Sequence, residues 1–219
     1  QRVAQLMAQA ESGRAPFLEN TRAVLVVQGG RLVYERYATG FGADTRFISW
    51  SVAKSVTHAL VGAAAARGLL NPDAGMGNPR WAADDPRSAI TWRQWLQMTD
   101  GLAYTETGAV RTTANGAAVM LFGEDRADAM AYATQLPVLH SPGARWNYST
   151  AGTTLVADAL TERVAPGAPP SERRSAMRRF MREALFSPIG MASVQPEFDA
   201  RGTFLGGSVV WATARDYAR

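Results

Sequence analysis

Hydrophobic positions along the chain change period several times, and each change marks an element. Val3, Leu6, Met7 and Ala10 recur at helical spacing and predict a short N-terminal helix. The unbroken apolar run Ala23 to Val27 reads as a buried strand. Gln28-Gly29-Gly30-Arg31 then supplies a two-glycine turn, and Leu32 to Tyr37 returns as a second strand, making an antiparallel hairpin. Gly40 to Trp50 shows neither period and is expected to be irregular. Ser51 opens a long Ala-rich helix ending near Gly68.

From about Asn71 to Phe198 the pattern becomes helices joined by long loops. Thr91-Trp92-Arg93-Gln94 has the spacing of a capping box, and Gly123 to Leu136, Ala151 to Val164 and Ser171 to Phe186 each predict a helix. Strand character returns at Thr203-Phe204-Leu205 and again over 206–210, and Thr213 reads as the N-cap of a helix over 214–219. The chain stops inside that helix, and a two-stranded hairpin is marginal by itself. The expectation is a piece of a longer protein whose further strands complete the sheet. Three segments follow: 1–70 as the first part of an α/β domain, 71–198 as an all-helical domain, and 199–219 as the return to the α/β domain.

The 219 residues suffice for one large domain or two small ones with a sizeable core. There are no cysteines, so disulfides and thiolate chemistry are excluded, and the two histidines, His58 and His140, carry no metal-binding spacing. No metal or cofactor is expected. His58 reads as a packed, hydrogen-bonded core histidine; His140 lies in the approach to the turn before Tyr148. No stretch reaches the roughly 18 apolar residues of a membrane span. The net charge of +4 comes from arginine, clustered over Arg173 to Arg182. Without interleaved aromatics or a DNA-binding pattern this reads as a solvated helix face, and no nucleic-acid partner is expected. Oligomeric state is left open.

Lys54 is the chain's single lysine, in a composition that otherwise fills basic positions with arginine. Lysine can lose its proton when buried; arginine stays charged. Ser51 lies three residues earlier, and helical geometry puts i and i+3 on one face, so the amine can reach the hydroxyl and activate a weak nucleophile. Tyr148, between the turn signals Ser141-Pro142-Gly143 and Gly152, offers a second proton acceptor. The bland alternatives are an N-cap for Ser51, a snorkelling surface residue for Lys54 and a core tyrosine for Tyr148. Ser149 either lines the site or hydrogen-bonds the turn. Tyr104, Trp146 and Asp100 either shape a substrate pocket or pack. Gly-x-Ser-x-Gly is absent, so a Ser-His-Asp hydrolase has no nucleophile elbow.

Ser51-Val52-Ala53-Lys54-Ser55 resembles the SxxK serine hydrolases, and within them the class C β-lactamase-like branch of family VIII carboxylesterases, D-amino-acid amidases and 6-aminohexanoate-dimer hydrolase. Met98-Thr99-Asp100-Gly101-Leu102 is similar to the family's HTSGL stretch and Pro188-Ile189-Gly190-Met191 to its PLGM; Gly206-Gly207 and 212–219 also resemble the family. These blocks span nearly the whole chain in order. The resemblance implies an α+β fold, with helices packed on an antiparallel sheet and an all-helical domain inserted between early and late strands. It implies Ser51, Lys54 and Tyr148 as catalytic residues and Tyr104, Trp146, Ser149 and Thr150 around the substrate. It also implies a third motif and half of the oxyanion hole in strands beyond this chain. The compartment is open, with a bacterial periplasmic or secreted setting favoured over the cytoplasm.

The family often has Tyr-x-Asn where this chain has Tyr148-Ser149-Thr150. Threonine keeps a hydroxyl but lacks the two-ended amide, which weighs against β-lactam recognition. The implied partner is a small acyl substrate: a linear amide oligomer, a short-chain ester or a D-amino-acid amide. A β-lactamase or penicillin-binding peptidase, and a non-catalytic sensor domain on the same fold, are the competing readings.

Overall fold

The computed structural model describes residues 2–12, 18–82, 84–106 and 115–219. Helix α1 (Arg2–Glu11) precedes the hairpin β1 (Ala23–Gln28) and β2 (Arg31–Tyr37), which pair antiparallel about Gly29 and Gly30. Both glycines hold positive φ, as a two-residue hairpin turn requires. Strand β3 (Arg46–Ile48) lies where no element was expected. Three residues are too few to show a period, and this strand's reason to exist is a partner far along the chain. A 3₁₀ turn, Trp50–Val52, then leads into α2 (Ala53–Ala66), so Ser51 precedes the α-helix proper.

The middle of the chain contributes α3 (Trp92–Leu96), α4 (Gly116–Phe122), α5 (Ala129–Ala133), α6 (Thr150–Val164) and α7 (Pro170–Met181). Thr91 and Gln94 form the expected capping box at α3. The single helix expected over Gly123 to Leu136 is instead a 3₁₀ turn, Glu124–Ala127, and the short α5. The break falls at Asp128, whose backbone leaves the helical region and whose carboxylate pairs with Arg80. Helix α4, capped by Asn115, was not anticipated. Helix α7 ends at Met181 and passes into a π-helical turn, Arg182–Phe186.

Strand β4 (Gln195–Pro196), β5 (Val210–Thr213) and α8 (Ala214–Tyr217, capped by Thr213) close the described chain. The strand expected at Thr203-Phe204-Leu205 is only a bridge between Phe198 and Phe204, because the chain turns at Gly206-Gly207 before β5 begins. Strand β5 is central in the order β3-β5-β4, and the hairpin forms a separate two-stranded sheet; every pairing is antiparallel.

Helix α6 is the hub of the core. All its residues from Thr150 to Thr161 are buried, and Thr153, Thr154 and Thr161 are satisfied by donating to backbone carbonyls one turn back. Leu155 and Leu160 join Leu60, Trp92, Trp95, Met177, Met181 and Phe204 in one cluster. Asp158 ties this helix to its neighbours: it accepts from Arg173 of α7 (2.7 Å), Thr203 (2.9 Å) and Asn78 (3.3 Å). Helix α2 turns Lys54, Thr57, Leu60, Val61 and Ala64 inward. His58 lies on the opposite, exposed face, which corrects its expected place in the core.

The hairpin is clamped to the end of the chain by Arg215 of α8, whose Nε and Nη2 donate to the two Glu35 oxygens, both at 2.7 Å. Those bonds, with one from Tyr37, lower the Glu35 pKa from 4.5 to about 2. A depressed acid contributes stability above its unfolded pKa and loses it as pH falls towards the folded value. The Tm advantage of wild type over Glu35→Gln should therefore be full above pH 4.5 and shrink on descent to pH 2, and salt should reduce it because Arg215 is half-exposed. Thermal melts of both proteins across that range check this.

Candidate active site

The site begins where β3 hands over to α2. Ser49 extends the ladder to β5: its N–H donates to the Val210 carbonyl (2.8 Å), and the Val210 N–H donates back to Ser49 Oγ (3.0 Å). The next residue, Trp50, has φ of +44°, in the left-handed region that a bulky side chain rarely occupies. That kink swings the chain out of the strand and sets Ser51 on an exposed 3₁₀ turn ahead of α2. Trp50 and Val52 flank the serine with about half their surface open.

One turn inward, Lys54 is 6 % exposed. Its ammonium donates to Ser51 Oγ (3.3 Å), Thr150 Oγ1 (2.8 Å) and the Gly207 carbonyl (2.6 Å). An ammonium has three protons, and all three are committed. The Tyr148 ring closes another side, its centroid 4.7 Å from Lys54 Nζ, a cation–π distance. The hydroxyl, the amine and the tyrosine named from sequence thus meet at one place.

The predicted substrate contacts divide. Trp146 is exposed, its ring 6.3 Å from that of Tyr148, on the open side of the site. Ser149 is buried and caps α6, its Oγ accepting from the Gly152 N–H at 2.8 Å, so of its two readings the turn-bonding one describes its contacts. Thr150 is 1 % exposed and its hydroxyl is occupied on both sides, receiving from Lys54 and donating to Glu106 Oε1 at 2.6 Å. Tyr104 is buried, edge-on to Tyr132. Burial first, then the charge of Glu106, pushes its phenol pKa up. Asp100 is also buried, which raises its pKa, and it accepts from the Leu102 N–H. His140 sits beside Arg145, 3.2 Å from its guanidinium.

Two residues of the site were not found from sequence. Glu106 receives the Thr150 hydroxyl and, through Oε2, the Thr150 N–H (2.8 Å); nothing in its spacing distinguishes it from a surface acid. Gly207 supplies a carbonyl to Lys54, while Gly206 supplies one to Thr57 (2.9 Å), so α2 grips this strand entry at i and i+3. The pair Gly206-Gly207 was visible as a motif, but its carbonyls could not be. Among the described residues no cluster of three or more histidine or acidic side chains is placed to hold a metal ion, and no helix is long and apolar enough to cross a membrane.

The sequence profile of the β-lactamase family matches residues 15–219. The chain belongs to the β-lactamase family. Among solved structures, a candidate 6-aminohexanoate-dimer hydrolase from Bacillus anthracis superposes with a TM-score of 0.73 at 20% identity, covering 93% of this chain and 54% of that one. A D-stereospecific amidohydrolase from Streptomyces sp. gives 0.65 at 20%, covering 95% and 70%. A β-lactamase/D-alanine carboxypeptidase from Yersinia pestis gives 0.64 at 18%, covering 98% and 67%. At these identities the likeness is one of fold, a mixed α+β β-lactamase/transpeptidase-like fold. The chain spans little more than half the length of the Bacillus anthracis protein. No curated protein sequence matches it.

Within this β-lactamase-family site a side chain has no room at Gly207. A Cβ there would lie 2.8 Å from both Thr150 Cγ2 and the Thr150 carbonyl oxygen. Gly207→Ala should cost roughly 1–3 kcal/mol by overpacking and draw the carbonyl away from Lys54. Urea denaturation should show the lower stability, and labelling of Ser51 by a fluorophosphonate should be slower than in wild type.

Proposed function

We propose that this protein is a serine hydrolase that forms an acyl-enzyme through Ser51 and hydrolyses small amides or esters. The observation that carries the reading is the Lys54 ammonium, buried and donating to Ser51 Oγ beneath the Tyr148 ring. A serine at a helix start, exposed and hydrogen-bonded to a buried amine, is placed for attack rather than for capping: α2 has no side-chain cap bond.

In the proposed reaction Ser51 Oγ attacks the substrate carbonyl carbon and its proton passes to the Lys54–Tyr148 pair. The carbonyl oxygen becomes an oxyanion beside the Ser51 amide, one of the first N–H groups of a helical segment and without an intrahelical acceptor. Collapse breaks the bond to the leaving group, which takes the proton back, and water then repeats the sequence on the acyl-enzyme. Positioned proton transfer and oxyanion stabilisation are each worth about 10²–10³ in rate or more.

The choice of substrate follows from the rim. Trp50, Val52 and Trp146 present apolar surface around the serine, suited to an aliphatic acyl chain. Thr150, with its hydroxyl held by Lys54 and Glu106, has no amide to offer a β-lactam side chain. This favours linear amides and esters over β-lactams; the Bacillus anthracis protein is named a 6-aminohexanoate-dimer hydrolase and the Streptomyces protein an amidohydrolase. We also read residues 1–70 and 199–219 as one α/β unit, with 71–198 as a helical insert.

Intact-mass spectrometry of the protein mixed with p-nitrophenyl butyrate, a linear 6-aminohexanoate amide or nitrocefin tests the reading. The expected result is an acyl adduct on Ser51 and turnover of ester or amide, both lost in Ser51→Ala without change in the far-ultraviolet circular dichroism. Rapid nitrocefin turnover with no esterase or amidase activity would make it a β-lactamase instead; no adduct with any substrate would refute an acyl-enzyme.

A further inference from the structure

We propose that Glu106 and Thr150 form a second proton-carrying arm on Lys54, opposite Tyr148, making Glu106 a positioning residue that takes up the nucleophile's proton through the threonine hydroxyl. The inference rests on the acyl-enzyme reading above and adds a route that the three motif residues do not contain.

Hydrogen-bond direction along this arm is fixed by chemistry. Lys54 only donates, so at 2.8 Å the Thr150 oxygen must accept. An ionised carboxylate only accepts, so at 2.6 Å Thr150 must donate to Glu106 Oε1. The second carboxylate oxygen is anchored by the Thr150 N–H at 2.8 Å, which stops the carboxylate from turning away. Lys54, Thr150 and Glu106 therefore make a chain in which each proton points towards the acid, while the bond to the serine runs the other way, Lys54 donating to Ser51 Oγ. The charge-assisted bonds at both ends are of the stronger kind. Among the described residues the groups facing the acid are Thr150 directly, Lys54 one bond beyond, and the buried Tyr104, whose phenol pKa the charge of Glu106 helps to raise.

The arm resolves a difficulty of the site. An ammonium with all three protons committed cannot accept the Ser51 proton unless it gives one up. Along this chain it can. The Lys54 proton facing Thr150 moves to the threonine oxygen as the Thr150 proton moves to Glu106; the neutral amine turns about its Cε–Nζ bond to aim the freed lone pair at Ser51, and takes the serine's proton as the Ser51 oxygen bonds to the carbonyl carbon. The substrate carbonyl gains one negative charge as the oxyanion, Glu106 loses one, and Lys54 ends as an ammonium again, so charge balances. When the leaving-group bond breaks, the same shifts run backwards: the leaving group receives a proton from Lys54, and Glu106 returns to carboxylate. No buried charge is created that was not there before, apart from the oxyanion.

The test is pre-steady-state acylation by p-nitrophenyl acetate, followed by the release of p-nitrophenol and by intact mass, in wild type, Thr150→Val, Thr150→Ser and Glu106→Gln. Val matches the shape of Thr and lacks the hydroxyl; Ser restores it; Gln keeps the size of Glu but cannot take a proton. We expect acylation to fall by about 10²-fold in Thr150→Val and Glu106→Gln, the scale of a lost proton-transfer partner, and to stay near wild type in Thr150→Ser. The acylation rate measured in mixtures of H₂O and D₂O should curve in wild type, several protons being in flight, and become linear in the two impaired variants. A purely structural role would not straighten that curve. Circular dichroism melts check folding; should Thr150→Val not fold, Glu106→Gln against Thr150→Ser decides by the same readouts. Wild-type acylation with rates and curvature unchanged in Glu106→Gln overturns the arm and leaves Ser51 chemistry standing. Failure of wild type to acylate at Ser51 overturns the hydrolase reading and the arm with it.

Discussion

The arrangement depends on one buried charge. Lys54 is enclosed, and an ammonium removed from water without full compensation costs several kcal/mol. Its three acceptors come from three places: the turn before its own helix, the first residue of α6, and the glycine pair before β5. Satisfying the charge therefore fixes how these segments meet, and the site is assembled as a condition of burying the lysine. Thr57, one turn on, repeats the contact with Gly206 and aligns α2 along the strand entry. A Cβ at Gly207 would press on Thr150, 2.8 Å from its Cγ2 and its carbonyl oxygen, so glycine lets this strand entry lie close enough for its carbonyl to reach Lys54.

Ser51 owes its exposure to strain held nearby. The positive φ of Trp50 costs on the order of 1–3 kcal/mol. Such a conformation persists only where neighbours over-determine it. Ser49 does so, bonding Val210 through its N–H and its hydroxyl while donating from that hydroxyl to the Trp50 carbonyl at 2.9 Å. Tyr217 adds to the clamp, its phenol donating to the carbonyls of Phe47 (3.1 Å) and Val210 (2.8 Å). Burial lifts that phenol's pKa to about 12, so it remains a donor at any ordinary pH. The strand pairing of β3 with β5, invisible in the sequence, is what aims Ser51.

What could be read in advance follows the range of the interactions. Ser51 and Lys54 were legible because their relation is local, three residues on a helix. Tyr148 needed more, the order of several blocks along the chain. Helix α6 was found within a residue because Ala151, Leu155, Val156, Ala159 and Leu160 recur at helical spacing and the stretch Pro166 to Pro170 ends it. His58 was misplaced because α2 is rich in alanine, which labels neither face: only the outward row of Ser55, His58, Ala59 and Gly62, seen in place, shows which side faces solvent. Strand β3 and Glu106 were missed for a shared reason. Each is defined by a partner far along the chain, β3 by β5 and Glu106 by Thr150, and neither carries a local pattern that betrays it.

The electrostatics of the site give Glu106 a reason to be acidic. Lys54 lies in the first turn of α2, and Thr150 is the first residue of α6. Two helix N-termini, each equivalent to about half a positive charge, thus converge on an ammonium. That concentration of positive potential would suit the proposed oxyanion at Ser51, and in the resting site it surrounds a buried ammonium. A carboxylate at the start of α6 relieves it, and Glu106 is held there by the helix's own first N–H. The acid bonds Thr150 and not the exposed serine, so the hydroxyl passes its influence to Lys54 without placing negative charge where the proposed oxyanion would form. Asparagine in Thr150's place would set an amide between lysine and acid, with donor and acceptor on different atoms. A hydroxyl puts both functions on one oxygen, and that single atom lets lysine, threonine and glutamate act as a line.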